Sequence, residues 1–438
     1  MISEEPKISV GVIDNVREIR GSLLEKFKIV PEAIVTGEFS AKVVGNDIVL
    51  LGGKDIELVR AREIVFAPLN GGKFVLHDVV FGIHFHWERK EDQTFEGALK
   101  LVARENGTMA AINLISVERY LASVISSEMS ATAPAELLKA HAITSRSWLV
   151  AMLEMKKKFL HAGIPSQRSF QTENEIIRWY DREDHDIFDV CADDHCQRYQ
   201  GVSKIISSEV QRAIDDTRGV FLVYNNEICD ARFYKACGGL TERFEHAWAD
   251  TPVPYLTTVA CSTMNHPHIT TEQEATQWIL SSPPAFCNTT DGNILRQILP
   301  SFDQETTDFF RWKVEYTQQE LSELIHKKSG VDFGEIQDLI PIHRGPSGRI
   351  TKLKIVGSKK TLTVGKELEI RRWLSPSHLY SSAFVVTKKN GTFLLNGAGW
   401  GHGVGLCQIG AAVMAVQGWK AEDIVKHYFC GSELKKLY

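Results

Sequence analysis

Long apolar runs are missing from this sequence. No stretch of about eighteen consecutive apolar residues occurs in its 438 positions, so no membrane-spanning helix is expected. A basic excess is missing too: 50 lysines and arginines face 55 aspartates and glutamates, a formal net charge of −5. That balance argues against nucleic acid as the main partner, because no surplus of positive charge exists to neutralise phosphates. Cysteine is scarce, with eight in the chain at 191, 196, 229, 237, 261, 287, 407 and 430. A disulfide scaffold needs a higher density, and only Cys191 and Cys196 lie close in sequence, so the count leaves the redox compartment open. The opening MISEEPKISVGVID lacks the basic stretch and apolar run of a secretion signal. Either the protein is cytosolic or a leader has been removed.

What is there is ordinary globular material, 43% hydrophobic and 24% charged, long enough for two or three domains with a sizeable core. The most unusual stretch runs from Asn396 to Gly418, NGAGWGHGVGLCQIGAAVMAVQG, with glycine at 397, 399, 401, 403 and 405 around Trp400 and His402. Alternating glycines free the backbone for positive φ and let a ligand approach the main chain. The small apolar run from Ala411 to Ala415 predicts a helix ending at Gly418, whose N-terminus would offer unpaired N–H groups to an anionic or polar ligand. The alternative is a purely architectural turn; the glycine density around one His and one Trp favours a site. A dinucleotide fingerprint is excluded, since only about thirty residues remain where a βαβ unit and further sheet are required. Cys407, five residues from His402, raises a thiol-nucleophile reading, but a small Cys at the buried start of a helix more often packs.

Residues 8–13, 33–51 and 74–87 read as strands of an N-terminal β-rich unit covering 1–90. His84 and His86 alternate on one strand; with no third ligand in view they read as ordinary sheet histidines. Asn106-Gly107, Asn225-Asn226 and Asn390-Gly391 each predict a hairpin. Val117, Tyr120, Leu121, Val124, Ile125 and Met129 follow the spacing of an amphipathic helix, and Glu128 falls within its apolar stripe. That placement suits a general acid; the alternative is a structural carboxylate paired with a buried cation. A second helix begins around Thr132 to Pro134 and carries Arg146 on its inward face. Either Arg146 pairs with Glu128 or it faces a substrate.

Residues 154–182 read as an exposed helical insertion. Next come His185, Cys191 and Cys196, with Asp193, Asp194 and His195 between. Two thiolates and an imidazole could hold structural zinc, with the fourth position left to water or a distant residue; the alternative is incidental thiols. The turn from Ala236 to Glu242 could project functional polar groups. Residues 262–345 form an accessory subdomain with a helix in TQQELSELIHKKSG, strands return at 350–356 and 384–393, and a last helix covers 421–429. The carboxylate separation that distinguishes glycosidases cannot be read from sequence.

The segment SVERYLASVISSEMSATAPAELLKAHAITSRSWLVAML resembles the first signature block of the stage II sporulation protein D family (the SpoIID/LytB domain, or amidase enhancers). The family pattern there runs from a "LEDYL" phrase through "EM" and a Pro-Glu-Ala-Leu-Lys-Ala-Gln-Ala phrase to an Arg-Thr/Ser pair. CQRYQG (196–201), AIDDTRG (213–219), FYKACGGLTE (233–242) and SGRI (347–350) match further blocks in order, and the glycine stretch is similar to the terminal block. The likeness covers roughly residues 95–438.

It implies an α+β fold of mixed helices and antiparallel hairpins around a central substrate groove. The segments are a β-rich unit (1–90), a core (91–261), an accessory subdomain (262–345) and the C-terminal part of the core (346–438). It also implies lytic cleavage of peptidoglycan glycan strands, especially strands stripped of stem peptides, in the cell envelope. Glu128 matches the catalytic acid of the "EM" phrase, and Arg146, Tyr234, His402 and Gln408 match substrate-binding positions. Some members carry zinc where His185, Cys191 and Cys196 lie, as a structural ion; catalysis itself requires no cofactor. The other implied role is non-catalytic: a glycan-binding activator of a cell-wall amidase. Two departures stand out. Cys407-Gln408-Ile409-Gly410 replaces the usual Ser-Gln-Tyr-Gly, and His141 replaces the usual Gln.

Overall fold

The computed structural model describes residues 2–29, 33–82, 88–162, 169–179, 185–193, 195–205, 207–299 and 306–438. His84 and His86 lie outside them. The fold is α+β, and the chain forms two compact units. Unit 1 comprises Met1–Thr132, Asp184–Val220 and Lys436–Tyr438; unit 2 comprises Ala133–Glu183 and Phe221–Lys435. The units cut across the segment boundaries at 90, 261 and 345. No described helix is long and apolar enough to cross a membrane.

Unit 1 is built on an eleven-stranded sheet. Its strands are β1 (Lys7–Val16), β2 (Glu18–Ile29), β3 (Ala33–Val44), β4 (Asp47–Leu51), β5 (Glu57–Ala61), β6 (Glu63–Pro68), β7 (Lys73–Phe81), β8 (Arg89–Glu96), β9 (Ala98–Ala103) and β10 (Met109–Ser116), with Val190–Cys191 as the last. The order runs Val190–Cys191, β1, β10, β9, β6, β2, β3, β4, β5, while β7 branches from β2 and carries β8. The β-rich region therefore runs past residue 90 to Ser116. The reason is the Asn106-Gly107 hairpin: it pairs β9 with β10, and β10 then pairs with β1.

An aromatic chain crosses the core of this sheet. Phe27 meets Phe74 (6.3 Å between ring centroids), Phe74 stacks on Phe95 (5.6 Å), Phe95 meets Tyr199 (5.8 Å) and Tyr199 stacks on Tyr120 (5.0 Å). Tyr120 lies on α1 (Val117–Glu128). Each such ring, fully buried, contributes roughly 1.5–3 kcal/mol, so the sheet core sets where α1 sits. The apolar positions of α1 are buried as its periodicity predicts.

In unit 2, α2 (Ala135–Ala162) runs farther than its apolar pattern requires. The predicted helical insertion at 154–182 is only partly helix: α2 ends within it, and Ser169–Gln171 and Glu175–Arg178 form a hairpin. The β-branched pair Ile176-Ile177 is buried and joins Thr361–Gly365 in parallel, which makes that hairpin an edge of a five-stranded sheet completed by Ile350–Gly357 and Ile336–Arg344.

Residues 262–345 are woven into the same unit. Arg311–Thr317 pairs with Thr392–Ala398, and Ile336–Arg344 pairs with Ile350–Gly357. The helix Gln318–Ser329 is opened by a Thr317/Glu320 capping box and closed by Gly330 at φ 74°. Its Leu321 and Ile325 pack with Trp312, Phe333, Trp373 and Phe393.

Candidate functional site

In unit 1 the sheet delivers α1 with Glu128 as its last residue, half-buried. The carboxylate Oε1 accepts a 2.8 Å hydrogen bond from the main-chain N–H of Arg198. The same loop is stitched to α1 twice more: Arg198 Nη1 donates to Ser127 O (3.3 Å), and the Gln200 N–H donates to Ser123 Oγ (3.1 Å). Also on α1 is Tyr120, whose fully buried hydroxyl has no hydrogen-bond partner among the described residues. Burial pushes that phenol well up, and the charges of Cys196, Cys191 and Glu128 add to the push.

Two residues before Arg198 lies a knot of four potential metal ligands. His185, Cys191, His195 and Cys196 each bring one ligand atom to within 4.8 Å of the others. His185 Nε2 is 3.3 Å from Cys196 Sγ, and His195 Nδ1 is 3.5 Å from Cys196 Sγ and 3.8 Å from Cys191 Sγ. Zn–S near 2.3 Å and Zn–N near 2.0–2.1 Å, arranged tetrahedrally, put ligand sulfur and nitrogen about 3.5 Å apart, so the donor set and its spacing fit that ion. Contact with Cys196 draws the Cys191 thiol far down against burial, with both imidazoles adding to it; a metal-binding sulfur needs the thiolate. The motif spacing pointed to His185, Cys191 and Cys196; His195 completes a fourth position that the sequence reading left to water or a distant residue.

In unit 2 the glycine run lies against the protein itself. A Cβ at Gly403 would sit 2.4 Å from Arg349 Cζ, and one at Gly401 would sit 2.8 Å from Tyr234 Cβ; both residues have positive φ. Several N–H groups of the run are already used. Trp400 donates to Ala236 O (2.7 Å), Gly401 to Tyr380 O (2.7 Å) and Leu406 to Arg232 O (2.9 Å). At the start of the following helix, Gln408–Val416, Ile409 donates to Lys235 O (3.0 Å). Alternating glycines here admit neighbouring chain, and the parallel pairing of Phe233–Tyr234 with Leu406–Cys407 takes up part of the N–H groups that the sequence suggested as an open cradle.

His402 is half-buried. Its Nε2–H donates to Phe233 O (3.0 Å), and its Nδ1 accepts from the Val404 N–H (3.1 Å). Burial holds the ring neutral, aided by Arg232, Arg371 and Arg349. With both nitrogens engaged by the main chain, His402 presents ring surface to Trp248 (4.7 Å) and Tyr234 (5.2 Å), and the Arg232 guanidinium lies 3.7 Å over the Trp248 ring. Tyr234 is 5% exposed and its hydroxyl has no partner among the described residues. Gln408 is buried and 3.2 Å from His141 Nε2, and Arg146 is completely buried in α2. Cys407 is also completely buried, which pushes its thiol up, and His402 is spent on the backbone; the pair has no nucleophile–base geometry.

Several participants escaped the sequence reading. Arg198 was inside the quoted CQRYQG, but its main-chain role has no side-chain signal. Trp248 and Arg232 carry none either. The FYKACGGLTE and SGRI blocks meet through Glu242: its Oε2 accepts from Ser347 Oγ (2.6 Å) and its Oε1 pairs with His246 Nδ1 (2.8 Å). Arg349, the third residue of SGRI, reaches from Ser347 Oγ (3.1 Å) to Gly401 O (3.2 Å) under the glycine loop.

Residues 105–224 match the family model for stage II sporulation protein, and residues 242–405 match a domain of unknown function (DUF8618). The chain is 25% identical over 327 residues to stage II sporulation protein D of Bacillus amyloliquefaciens, covering 74% of this chain and 76% of that one. It is 26% identical over 328 residues to the same-named protein of Bacillus subtilis (strain 168), with coverage of 74% and 76%. An amidase enhancer of Bacillus subtilis (strain 168) is 23% identical over 252 residues, 52% of this chain and 33% of that protein. The family match spans α1 and α2, and with them Glu128, the four-ligand knot and the loop that holds the carboxylate; on this footing residues 105–224 carry the stage II sporulation protein domain, and the chain as a whole is similar to stage II sporulation protein D.

Proposed function

We propose that this chain acts on the cell wall as a lytic transglycosylase, cleaving peptidoglycan glycan strands between N-acetylmuramic acid and N-acetylglucosamine. The observation that carries the reading is the setting of Glu128, a half-buried carboxylate at the end of α1 with one oxygen fixed by the Arg198 N–H. Holding Oε1 orients Oε2, and an oriented carboxyl group is what proton transfer to a leaving oxygen requires. Glu128 donates a proton to the glycosidic oxygen. The C1–O bond breaks, the muramyl C6 hydroxyl closes onto C1, and Glu128 takes back the hydroxyl proton. The product is a 1,6-anhydro end, no water enters, and one carboxyl group serves as acid and then base. Tyr234, His402, Arg146 and Gln408, to which we add Trp248 and Arg232, supply or support glycan contacts; the half-buried Trp248 ring suits stacking against a sugar face.

The knot of His185, Cys191, His195 and Cys196 holds a structural zinc ion that fixes the 196–200 loop and through it Glu128. Such an ion contributes folding energy to that loop and takes no part in the bond cleavage.

The test is incubation of the protein with denuded glycan strands, read by mass spectrometry. Wild type yields anhydro-ended saccharides, and Glu128→Gln lowers their rate by ~10²-fold or more, the usual share of a general acid. Absence of anhydro products from wild type would sink the lytic reading and leave the second one, which the amidase-enhancer likeness favours: a glycan-binding protein that stimulates an amidase.

A further inference from the structure

Four of the eight cysteines converge in unit 2, outside every role described so far. Cys237, Cys261, Cys287 and Cys407 are all buried, and their sulfurs lie within 4.8 Å of one another. They come from distant parts of the chain. Cys237 sits in the turn after Phe233–Tyr234, Cys407 ends the paired strand Leu406–Cys407, and Cys261 and Cys287 belong to the segment between. We propose that these four sulfurs form a second metal site, a structural zinc centre with four thiolate ligands.

Three lines of geometry support it. First, the spacing is right for one ion. Tetrahedral zinc with Zn–S near 2.3 Å sets its sulfurs about 3.8 Å apart, and Cys237 Sγ is 3.4 Å from Cys287 Sγ. That separation is far beyond the roughly 2.05 Å of a disulfide, while an iron–sulfur cubane needs its cysteine sulfurs spread wider than this cluster allows.

Second, the sulfurs are dressed as thiolates are. The Gly239 N–H donates to Cys237 Sγ (3.3 Å), the Cys237 N–H donates to Cys407 Sγ (3.3 Å), and the Tyr428 hydroxyl stands 3.2 Å from Cys261 Sγ. The first of these bonds depends on positive φ at Gly238 (79°) and Gly239 (113°), which curls the Cys-Gly-Gly turn back over its own sulfur. Ligand-directed donors of this kind orient and stabilise a bound ion. Third, the space and charge around the cluster are arranged for it. A Cβ at Gly410 would fall 2.5 Å from Cys261 Sγ and 2.3 Å from Tyr428 Oη. Arg311 is held by the carbonyls of Gly238, Trp278 and Ser281. It lies close enough to Cys287 and Cys237 to interact with their charge, and so offsets the negative charge of four thiolates on a divalent ion.

The assignment also gives Cys407 a reason. Where the family pattern has serine, this chain supplies a sulfur, and three further cysteines meet it. Soft thiolate sets select zinc over oxygen-seeking ions, and one ion here ties together the Cys-Gly-Gly turn, the glycine loop and the 257–299 segment.

The test uses the full chain, purified with reductant and without chelator, so that the two sites are separated. Elemental analysis of wild type should give about two zinc ions per chain. The Cys191→Ser/Cys196→Ser variant should keep one, with an X-ray absorption shell of four sulfurs and no nitrogen. The Cys261→Ser/Cys287→Ser variant should lose one and keep the ion of unit 1, which shows that unit 1 remains folded. A Cys191→Ser/Cys196→Ser protein that is metal-free, that carries iron in place of zinc, or whose four cysteines are found as two disulfides would overturn the proposal. Zinc content unchanged in the Cys261→Ser/Cys287→Ser variant, with loss confined to replacement of the unit 1 ligands, would overturn it as well.

Discussion

At the scale of single residues, burial decides which ionisable groups can change charge. His141 is completely buried between Ser145 and Gln408, and burial, followed by the charge of Lys235, pulls its pKa down to about 3. The folded protein keeps this ring neutral, whereas the unfolded chain takes up a proton below its ordinary value of 6.5. Stability from His141 is therefore present above pH 6.5 and lost as pH falls from there toward 3, at about 1.4 kcal/mol per pH unit. His402 acts with the same sign. We expect thermal midpoints to fall from about pH 6.5 downward, and His141→Gln, which restores the usual family residue, to flatten that slope; unchanged slopes in a pH series of melts would contradict this. Glu242 adds a later loss: burial pushes its pKa up, but His246, Ser347 and the Arg243 N–H more than offset this. Its contribution is present above its unfolded pKa and goes as pH falls through the lowered folded value.

At the scale of elements, the glycine loop and the end of α1 make opposite demands. The loop tolerates no side chain where Arg349 passes beneath it: Gly403 is at φ 86° with a guanidinium in the place of a Cβ. Gly403→Ala should cost about 2–4 kcal/mol, combining backbone strain and overpacking, and should lower the thermal midpoint of purified protein by several degrees. A neutral substitution would mean that Arg349 can leave its bonds to Gly401 at no cost. The end of α1, by contrast, is held by a main-chain donor that no side-chain replacement short of proline removes. Arg198→Pro deletes that N–H, and we expect anhydro-product formation to fall at least tenfold, roughly the loss of one well-placed hydrogen bond to a charged group. Arg198→Ala, which keeps the N–H, should retain more activity; equal loss in both would shift the role to the guanidinium.

At the scale of the whole molecule, the zinc proposed for the His185, Cys191, His195 and Cys196 knot links that knot to Glu128 through the 196–200 loop. Cys191→Ser/Cys196→Ser should expose amides of residues 185–200 and the last turn of α1 to hydrogen exchange while the β1–β10 hairpin network stays protected, and activity should fall with it. Protection unchanged in that segment would separate the knot from the site. Much of this was legible in the sequence, because periodicity and turn chemistry are local. Val117 to Glu128 follows the helical period, with Glu128 in its apolar stripe, and Asn106-Gly107, Asn225-Asn226 and Asn390-Gly391 turn hairpins as their residues predict, while the His185–Cys196 spacing left zinc and incidental thiols both open. What only the tertiary structure decided depends on residues brought together from far along the chain: that 262–345 shares sheets with the C-terminal strands, that Gly403 and Gly401 lie against Arg349 and Tyr234, that the Arg198 main chain holds Glu128, and that four scattered cysteines point their sulfurs at one another. Hydrophobic period and turn preference act over a few residues and are written along the chain. Strand partners and side-chain convergence are set by packing, which no local pattern encodes.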